Sequence, residues 1–200
     1  MPYEYRKLSP EERKRVVEER KRRGFPLHQP PHPFREKGAY LITAANFEHV
    51  PVMSSAGRRT EFQEKILEEL QGANVEISGW VILPNHYHIL VYAETLNSIS
   101  AVLKQVHGST SRRWNEEDGL SGKRKVWYHF SDQVIRNEMH FNRALNYIHY
   151  NPVKHGYAGD IYGWEWSSLF TYLDEKGSDW LKENWQKFTP PDDFGGSWDN

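Results

Sequence analysis

The spacing of apolar and polar residues along the middle of the chain predicts four strands and three helices. The strands are expected at 39–47, 75–83, 86–93 and 126–135, and the helices at 58–72, 95–114 and 138–151. The order strand, helix, strand, strand, helix, strand predicts an α+β fold, a ferredoxin-like antiparallel sheet with two helices on one face. The third helix is then left for the opposite face.

Proline and glycine predict where several of these elements end. Pro152 predicts that the third helix stops at Asn151, because the residue before a proline leaves the helical region. Ser9 followed by Pro10 and Glu12 is typical of a helix start, so a further helix is expected to reach about Gly24. Three parts follow: a basic N-terminal helix and Pro-rich linker at 1–33, a core domain at 34–173 and an acidic tail at 174–200.

Charge and composition exclude several classes of protein. The 26 Lys and Arg and 27 Asp and Glu of the 200 residues give a net charge of −1, which argues against a uniformly basic nucleic-acid binder. The N-terminus is basic and the C-terminus acidic, so the neutrality is a cancellation. With no cysteine, disulfides, thiolate zinc sites and cysteine nucleophiles are excluded. We find no signal peptide or long apolar run, and we expect a soluble, cytoplasmic protein without membrane contact.

Two histidines in the third strand form the sharpest local motif. Side chains two apart in a strand share a face, so His86 and His88 project the same way, and two imidazoles so placed can chelate one divalent metal ion. A hydrogen-bonded pair at a strand edge is the structural alternative. A histidine-triad hydrolase is excluded, because Leu90 stands where the third histidine would be.

The end of the third predicted helix carries a second pair of polar residues. Tyr147 and Asn151 are four residues apart and lie on one helix face. The pair would present a phenol and an amide oxygen to whatever the two histidines hold. Amphipathic packing of Tyr147 and a helix-stop role for Asn151 remain the alternative.

These motifs resemble those of a known family. The segment NHYHIL after a buried strand, then YIHYNPVKHGY, then WEWSSL at 164–169 is similar to the single-tyrosine HUH transposases. Within that family the likeness is strongest to the transposases associated with repeated palindromes, called REP-associated tyrosine transposases. It covers about residues 39–172 and rests on three motifs in the same order and spacing.

The resemblance implies a role for each matching residue. His86 and His88 correspond to the two metal-binding histidines, Tyr147 to the nucleophilic tyrosine and Asn151 to the polar residue that completes the metal site. The implied cofactor is a divalent ion, Mg²⁺ or Mn²⁺. The implied reaction is cleavage and strand transfer of single-stranded DNA through a 5′-phosphotyrosine. Tyr150 is a rival on nearly the same helix face, but the family motif places the nucleophile four residues before the asparagine.

Single-stranded or hairpin DNA is the implied partner, and the chain offers cations for it. The cations expected to contact DNA are Lys104, Arg112, Arg113, Lys123, Arg124, Lys125 and Lys154. Together with three aromatic residues, Trp114, Trp127 and Tyr128, they are expected to form a DNA-binding groove. Trp164 and Trp166 are compatible with either core packing or base stacking.

Two other functions remain open at this stage. One is a DNA-binding module without catalytic activity. The other is a metal-dependent phosphoesterase that uses His86 and His88 but attacks with water. A monomer is favoured over a swapped dimer, which some members of the family that this chain resembles form.

Overall fold

The fold is described from a computed structural model for residues 9–22, 37–120, 124–192 and 194, with only the backbone for residues 13, 16, 17 and 20–22. The Pro-rich linker and Lys123 lie outside these residues, so the expected division at residue 33 stays a prediction. The described elements are α1 Pro10–Arg22, β1 Gly38–Ala45, α2 Ala56–Gly72, β2 Glu76–Ile82, β3 His86–Ala93, α3 Leu96–Glu117, β4 Ser131–Val134, α4 Glu138–Lys154 and α5 Leu169–Lys187.

The sheet has the strand order β2-β3-β1-β4, and every neighbouring pair is antiparallel. Helices α2 and α3 contact each other and one face of the sheet, while α4 packs against β2 and β3 from the other face. The α+β, ferredoxin-like prediction is therefore confirmed. None of the described helices is long and apolar enough to cross a membrane.

Strand β3 divides its side chains between the two faces. Tyr87 points to α2 and α3, where its ring lies 5.0 Å from that of Phe62 and its hydroxyl lies 2.9 Å from Nε2 of His107. His86 and His88 point to α4, and both are almost completely buried. Core packing and the candidate chemistry therefore use alternate residues of one strand.

The docking of α4 depends on Gly79 in β2. A Cβ atom at this position would lie 2.8 Å from Cδ1 of Leu145 in α4, so a larger residue would force the helix or the leucine to move. The preceding residue, Ser78, lies in a β-bulge, because the pairing of β2 with β3 shifts its register between Ile77 and Gly79. The carbonyl of Ser78 in this bulge accepts a hydrogen bond from the Tyr172 hydroxyl of α5 at 2.7 Å.

Helix α4 continues through Pro152, so the predicted end at Asn151 is wrong. A proline in the last turn removes only one backbone donor, and the helix stops two residues later. Gly156 then adopts a φ of 70°, its N–H donates to the Val153 carbonyl at 3.0 Å, and the Tyr157 N–H donates to the Pro152 carbonyl at 2.8 Å. These two bonds form a Schellman motif, which ends α4 after Lys154.

The fourth strand is shorter than predicted. Only Ser131–Val134 pairs with β1 as a regular ladder. Earlier in the segment, the Tyr128 N–H donates to the Ala45 carbonyl at 2.9 Å and the Phe47 N–H to the Val126 carbonyl at 2.7 Å. The pairing shifts by one residue between these two parts, which breaks the predicted strand.

The segment containing Trp164 and Trp166 closes the free edge of the sheet. Ser168 N–H donates to the Trp80 carbonyl at 2.9 Å, and Ile82 N–H donates to the Trp166 carbonyl at 2.9 Å. Both tryptophan side chains are buried, and the Arg59 guanidinium lies over the Trp166 ring at 3.9 Å. Core packing therefore accounts for them, and the edge strand is covered.

Helix α5 passes through residue 173, where the acidic tail was expected to begin. Its second half packs against α4, and two buried amides join the helices. Asn146 Nδ2 donates to the Asn184 and Phe188 carbonyls at 3.0 and 3.1 Å, and Asn184 Nδ2 donates to Asn146 Oδ1 at 2.9 Å. The chain up to Phe188 is thus part of the packed fold.

Two buried histidines predict that the fold loses stability in acid. Burial lowers the pKa of His107 and of His149 to about 3, against about 6.5 in an unfolded chain. Because the unfolded state binds these protons first, stability is complete above about pH 6.5 and falls progressively toward pH 3. At pH 5 each histidine should cost about 2 kcal/mol relative to neutral pH. Urea denaturation at pH 7 and pH 5 measures this loss.

In the variant His149→Gln, the loss of unfolding free energy between pH 7 and pH 5 should be smaller by the contribution of one histidine. An unchanged difference would show that His149 is not buried in its neutral form.

Candidate functional site

The candidate site lies between β3 and the last two turns of α4. Tyr147 and Asn151 face the sheet and are buried, at 4% and 0% exposure. The hydroxyl of Tyr147 lies 3.4 Å from Nε2 of His88, and Asn151 Oδ1 lies 3.2 Å from Nε2 of His86. The four residues implied by the motifs are therefore brought together within one chain.

The hydrogen bonds of His86 leave a lone pair directed into this space. Its Nδ1 lies 2.7 Å from Asn85 Oδ1, an atom that can only accept, so Nδ1 carries the ring proton. Burial, with the adjacent His88 and His155, holds the pKa of His86 well below its usual value, so the ring is neutral. Nε2 of His86 and Oδ1 of Asn151 are then two acceptors 3.2 Å apart. A cation between them would satisfy both.

His88 is oriented by the neighbouring strand. Thr43 of β1 is its cross-strand partner, and Thr43 Oγ1 lies 2.7 Å from Nδ1 of His88. This bond fixes the ring and leaves Nε2 for the site, as in metal centres whose histidines are held by an outer hydrogen bond. Two imidazole nitrogens and an amide oxygen therefore form a donor set that suits a divalent ion.

The described residues contain no group of three His, Cys, Asp or Glu side chains arranged to hold a metal. Any cation bound here would therefore depend on the amide of Asn151 as well as on the two histidines. The amide of Asn151 directs its oxygen to His86, and its Nδ2 atom is buried without a hydrogen-bond partner among the described atoms.

Comparison with known proteins identifies the family. The family model for "Transposase IS200 like" proteins matches residues 42–151, more than half of the chain. The chain belongs to the IS200-like transposase family. The match contains His86, His88, Tyr147 and Asn151.

Two curated relatives and one solved structure are similar to this family member. It is 30% identical over 99 residues to the REP-associated tyrosine transposase of Escherichia coli K12, covering 47% of this chain and 54% of that protein. A putative REP-associated tyrosine transposase of Haemophilus influenzae is 26% identical over 118 residues, covering 54% and 67%. The chain thus spans about half of the first relative and two thirds of the second.

The similar structure is of a REP-associated tyrosine transposase bound to a REP hairpin. The TM-score is 0.58 at 20% identity, covering 75% of this chain and 88% of that one. At this identity the likeness shows only that the two chains share a fold.

The last turn of α4 brings two further residues to the site. Lys154 Nζ lies 5.1 Å from the centre of the Tyr147 ring, and burial lowers its pKa while nearby Asp192 acts in the opposite direction. The His155 ring contacts the His86 ring edge to face at 4.9 Å. Residues 147, 151, 154 and 155 follow the spacing of one helix face, and a helix that ended at Asn151, as predicted, would not include the last two of them.

Tyr150, the rival to Tyr147, lies on the other side of α4. Its side chain is 38% exposed and its ring lies 5.0 Å from that of Trp185 in α5. The His149 ring is also turned away, and its Nε2 lies 2.9 Å from the Ser168 hydroxyl. The geometry therefore places Tyr147, and not Tyr150, beside the histidines.

Four of the predicted DNA-binding cations line an open groove of about 820 Å³ between α3 and the segment at 124–129, namely Lys104, Arg112, Arg124 and Lys125. Arg113 does not line it, because its guanidinium pairs with Glu61 and Glu117, both at 2.9 Å. Lys123 lies outside the described residues, and Lys154 lies at the candidate site instead.

The aromatic residues expected to interleave with these cations are mostly core residues. Trp114 is completely buried, and Trp127 and Tyr128 are each 6% exposed. Trp127 stacks on His107 with ring centres 4.4 Å apart. The prediction that Trp114 presents a base-stacking surface is wrong, because its ring is needed to fill the space between α2 and α3.

Replacing Thr43 by valine should weaken cation binding at this site. Valine keeps the shape of threonine but cannot hydrogen-bond to His88 Nδ1, so the ring loses its fixed orientation. We expect the affinity for Mn²⁺ to fall by roughly tenfold to a hundredfold in calorimetric titration. Thr43→Ser is the matched control, since it keeps the hydroxyl and should bind nearly as the unchanged chain does. Equal affinity in the valine variant would argue against a cation held by His88.

Proposed function

We propose that this chain cleaves and rejoins single-stranded DNA through a covalent 5′-phosphotyrosine on Tyr147. The observation that carries the proposal is the distance of 3.4 Å between the Tyr147 hydroxyl and Nε2 of His88, beside the facing acceptors of His86 and Asn151. Membership of the IS200-like family, and relatives named as tyrosine transposases, support the reaction class.

In the proposed reaction, the Tyr147 oxygen attacks the scissile phosphorus in line with the bond to the 3′-oxygen. A phosphotyrosine bond forms, the bond from phosphorus to the 3′-oxygen breaks, and a free 3′-hydroxyl is released. That hydroxyl, or one from another strand, reverses the step and expels Tyr147. The Lys154 ammonium, 5.1 Å from the Tyr147 ring centre, favours negative charge on the phenol oxygen and on the phosphate.

His86, His88 and Asn151 are the residues that would hold a divalent ion. Bound there, the ion would draw charge from the non-bridging phosphate oxygens and orient the phosphate for attack. Two imidazoles suit Mn²⁺ better than Mg²⁺, which prefers oxygen ligands, so we propose that both ions support the reaction and that Mn²⁺ binds more tightly.

The groove at α3 is the proposed binding surface for single-stranded or hairpin DNA. It holds four cations against one acidic residue, Glu116, and the similar solved transposase was bound to a REP hairpin. Arg124 is committed to Asp118 at 2.7 Å and to Asn115 at 3.0 Å, so it shapes the groove wall. Lys104, Arg112 and Lys125 are the residues proposed to contact phosphates.

A monomer is the proposed active form. Tyr147 contacts His88 and Asn151 contacts His86 within the same chain, so the nucleophile and the metal donors do not depend on exchange of α4 between subunits.

Replacement of Tyr147 by phenylalanine should abolish the covalent protein–DNA adduct, because the ring then has no nucleophilic oxygen. Adducts formed with hairpin-ended single-stranded oligonucleotides and Mn²⁺ are resolved by denaturing gel electrophoresis. Tyr150→Phe is the matched control and should keep the adduct. Cleavage without any adduct would instead favour a water-using phosphoesterase, and DNA binding without cleavage a silent binding module.

In the groove, Arg112→Gln should weaken DNA binding and reduce its dependence on salt. Losing one phosphate contact should lower the slope of log affinity against log salt by about 0.7 for a single strand. The neighbouring Arg113→Gln is the control, since its guanidinium is held by Glu61 and Glu117 at 2.9 Å, whereas Arg112 makes one longer contact of 3.7 Å with exposed Glu116. Fluorescence anisotropy at several salt concentrations measures both. Equal losses in the two variants would show that this groove does not hold the DNA.

A further inference from the structure

His155 is a half-buried histidine whose ring nitrogen Nε2 has no hydrogen-bond partner among the described atoms. The Nε2 atom of His155 is inaccessible to solvent and makes no hydrogen bond among the described atoms. A buried imidazole nitrogen without a partner costs free energy, so such an atom needs an explanation in the function of the site. His155 is the C-cap residue of α4, and its backbone N–H donates to the Asn151 carbonyl at 3.1 Å.

The position of His155 is fixed by its neighbours in the candidate site. Its ring lies edge to face on that of His86 with centres 4.9 Å apart, and it interacts electrostatically with His88. It also follows Lys154, whose ammonium lies over Tyr147. The last turn of α4 therefore places two successive side chains on the two halves of the site, one at the nucleophile and one at the histidines.

A third metal ligand is the first role to consider for His155, and the geometry does not support it. Across the described ranges, no three His, Cys, Asp or Glu side chains are arranged around one metal position, although His86, His88 and His155 are close together. The partner of Nε2 should therefore be part of the substrate. A phosphodiester has only acceptor oxygens, so the imidazole would present its N–H to it.

We propose that His155 donates a hydrogen bond from Nε2 to a non-bridging oxygen of the scissile phosphate. This inference rests on the proposed cleavage reaction, since it assigns a contact to the phosphate that Tyr147 attacks. Asn151, Lys154 and His155 then face the phosphate from the helix side, while His86 and His88 face it from the sheet side. The donor is most valuable when the phosphate is attacked and charge builds up on its oxygens.

Two substitutions separate this role from a packing role. His155→Phe keeps a ring against His86 but removes the N–H, and His155→Gln restores a donor of similar reach. We expect single-turnover adduct formation to be about tenfold to a hundredfold slower with phenylalanine and largely restored with glutamine. Mn²⁺ affinity, measured by calorimetry, should stay within about twofold in both variants.

A sulfur-substituted substrate gives a readout that a structural role would not move. Sulfur at the non-bridging position is a poor hydrogen-bond acceptor, so the oligonucleotide diastereomer with sulfur facing His155 should be cleaved slowly by the unchanged chain. His155→Phe should then cause little further loss with that diastereomer, and the full loss with the other one.

Three results in the cleavage and metal-binding experiments would overturn the assignment. These are wild-type rates in His155→Phe, a loss of Mn²⁺ affinity of tenfold or more, or equal losses with both sulfur diastereomers. Failure of the proposed function looks different, because the unchanged chain would then form no adduct with any of these substrates. In a Tyr147→Phe background, His155→Phe should also weaken binding of the uncleaved oligonucleotide, and unchanged binding would count against the phosphate contact.

Discussion

The contact between α4 and the sheet at Gly79 is the constraint on which the candidate site depends. With only a hydrogen atom on this strand residue, Leu145 approaches the backbone of β2 directly. The height of α4 above the sheet then sets the distances from Tyr147 and Asn151 to the two histidines. A difference of one ångström in this height would separate the 3.4 Å and 3.2 Å pairs that define the site.

Much of the fold was predictable because each element carries a strong local pattern. The alternation in β3 placed His86 and His88 on one face, and the helix spacing put Tyr147 and Asn151 together. The assignment of these residues to a metal and a nucleophile came from the family resemblance, since either pair alone is compatible with ordinary packing. Thr43 could not be identified from local patterns, because its position opposite His88 depends on the register between two strands that are 45 residues apart along the chain.

The rule that proline ends a helix hid part of the site. It holds for a proline in the middle of a helix, where the ring removes a backbone hydrogen bond and clashes with the preceding turn. In the last turn, proline removes a single N–H donor, and the Schellman bonds satisfy the carbonyls of Pro152 and Val153 at the helix end. Lys154 and His155 therefore belong to the helix face that carries Tyr147 and Asn151. The tryptophans were candidates for base stacking from the sequence, but Trp114, Trp127, Trp164 and Trp166 are buried in the core.

The buried amide pair of Asn146 and Asn184 has a consequence for the modularity of this chain. The family match ends at residue 151, inside α4, yet the opposite side of that helix is completed by carbonyls of residues 184 and 188. A fragment cut at the edge of the recognisable family segment would lack the last three residues of α4 and would leave the Asn146 amide without its acceptors. The smallest part of this chain that can fold as a unit therefore extends beyond the segment by which it is recognised, and exchange of segments between relatives would have to carry α5 along.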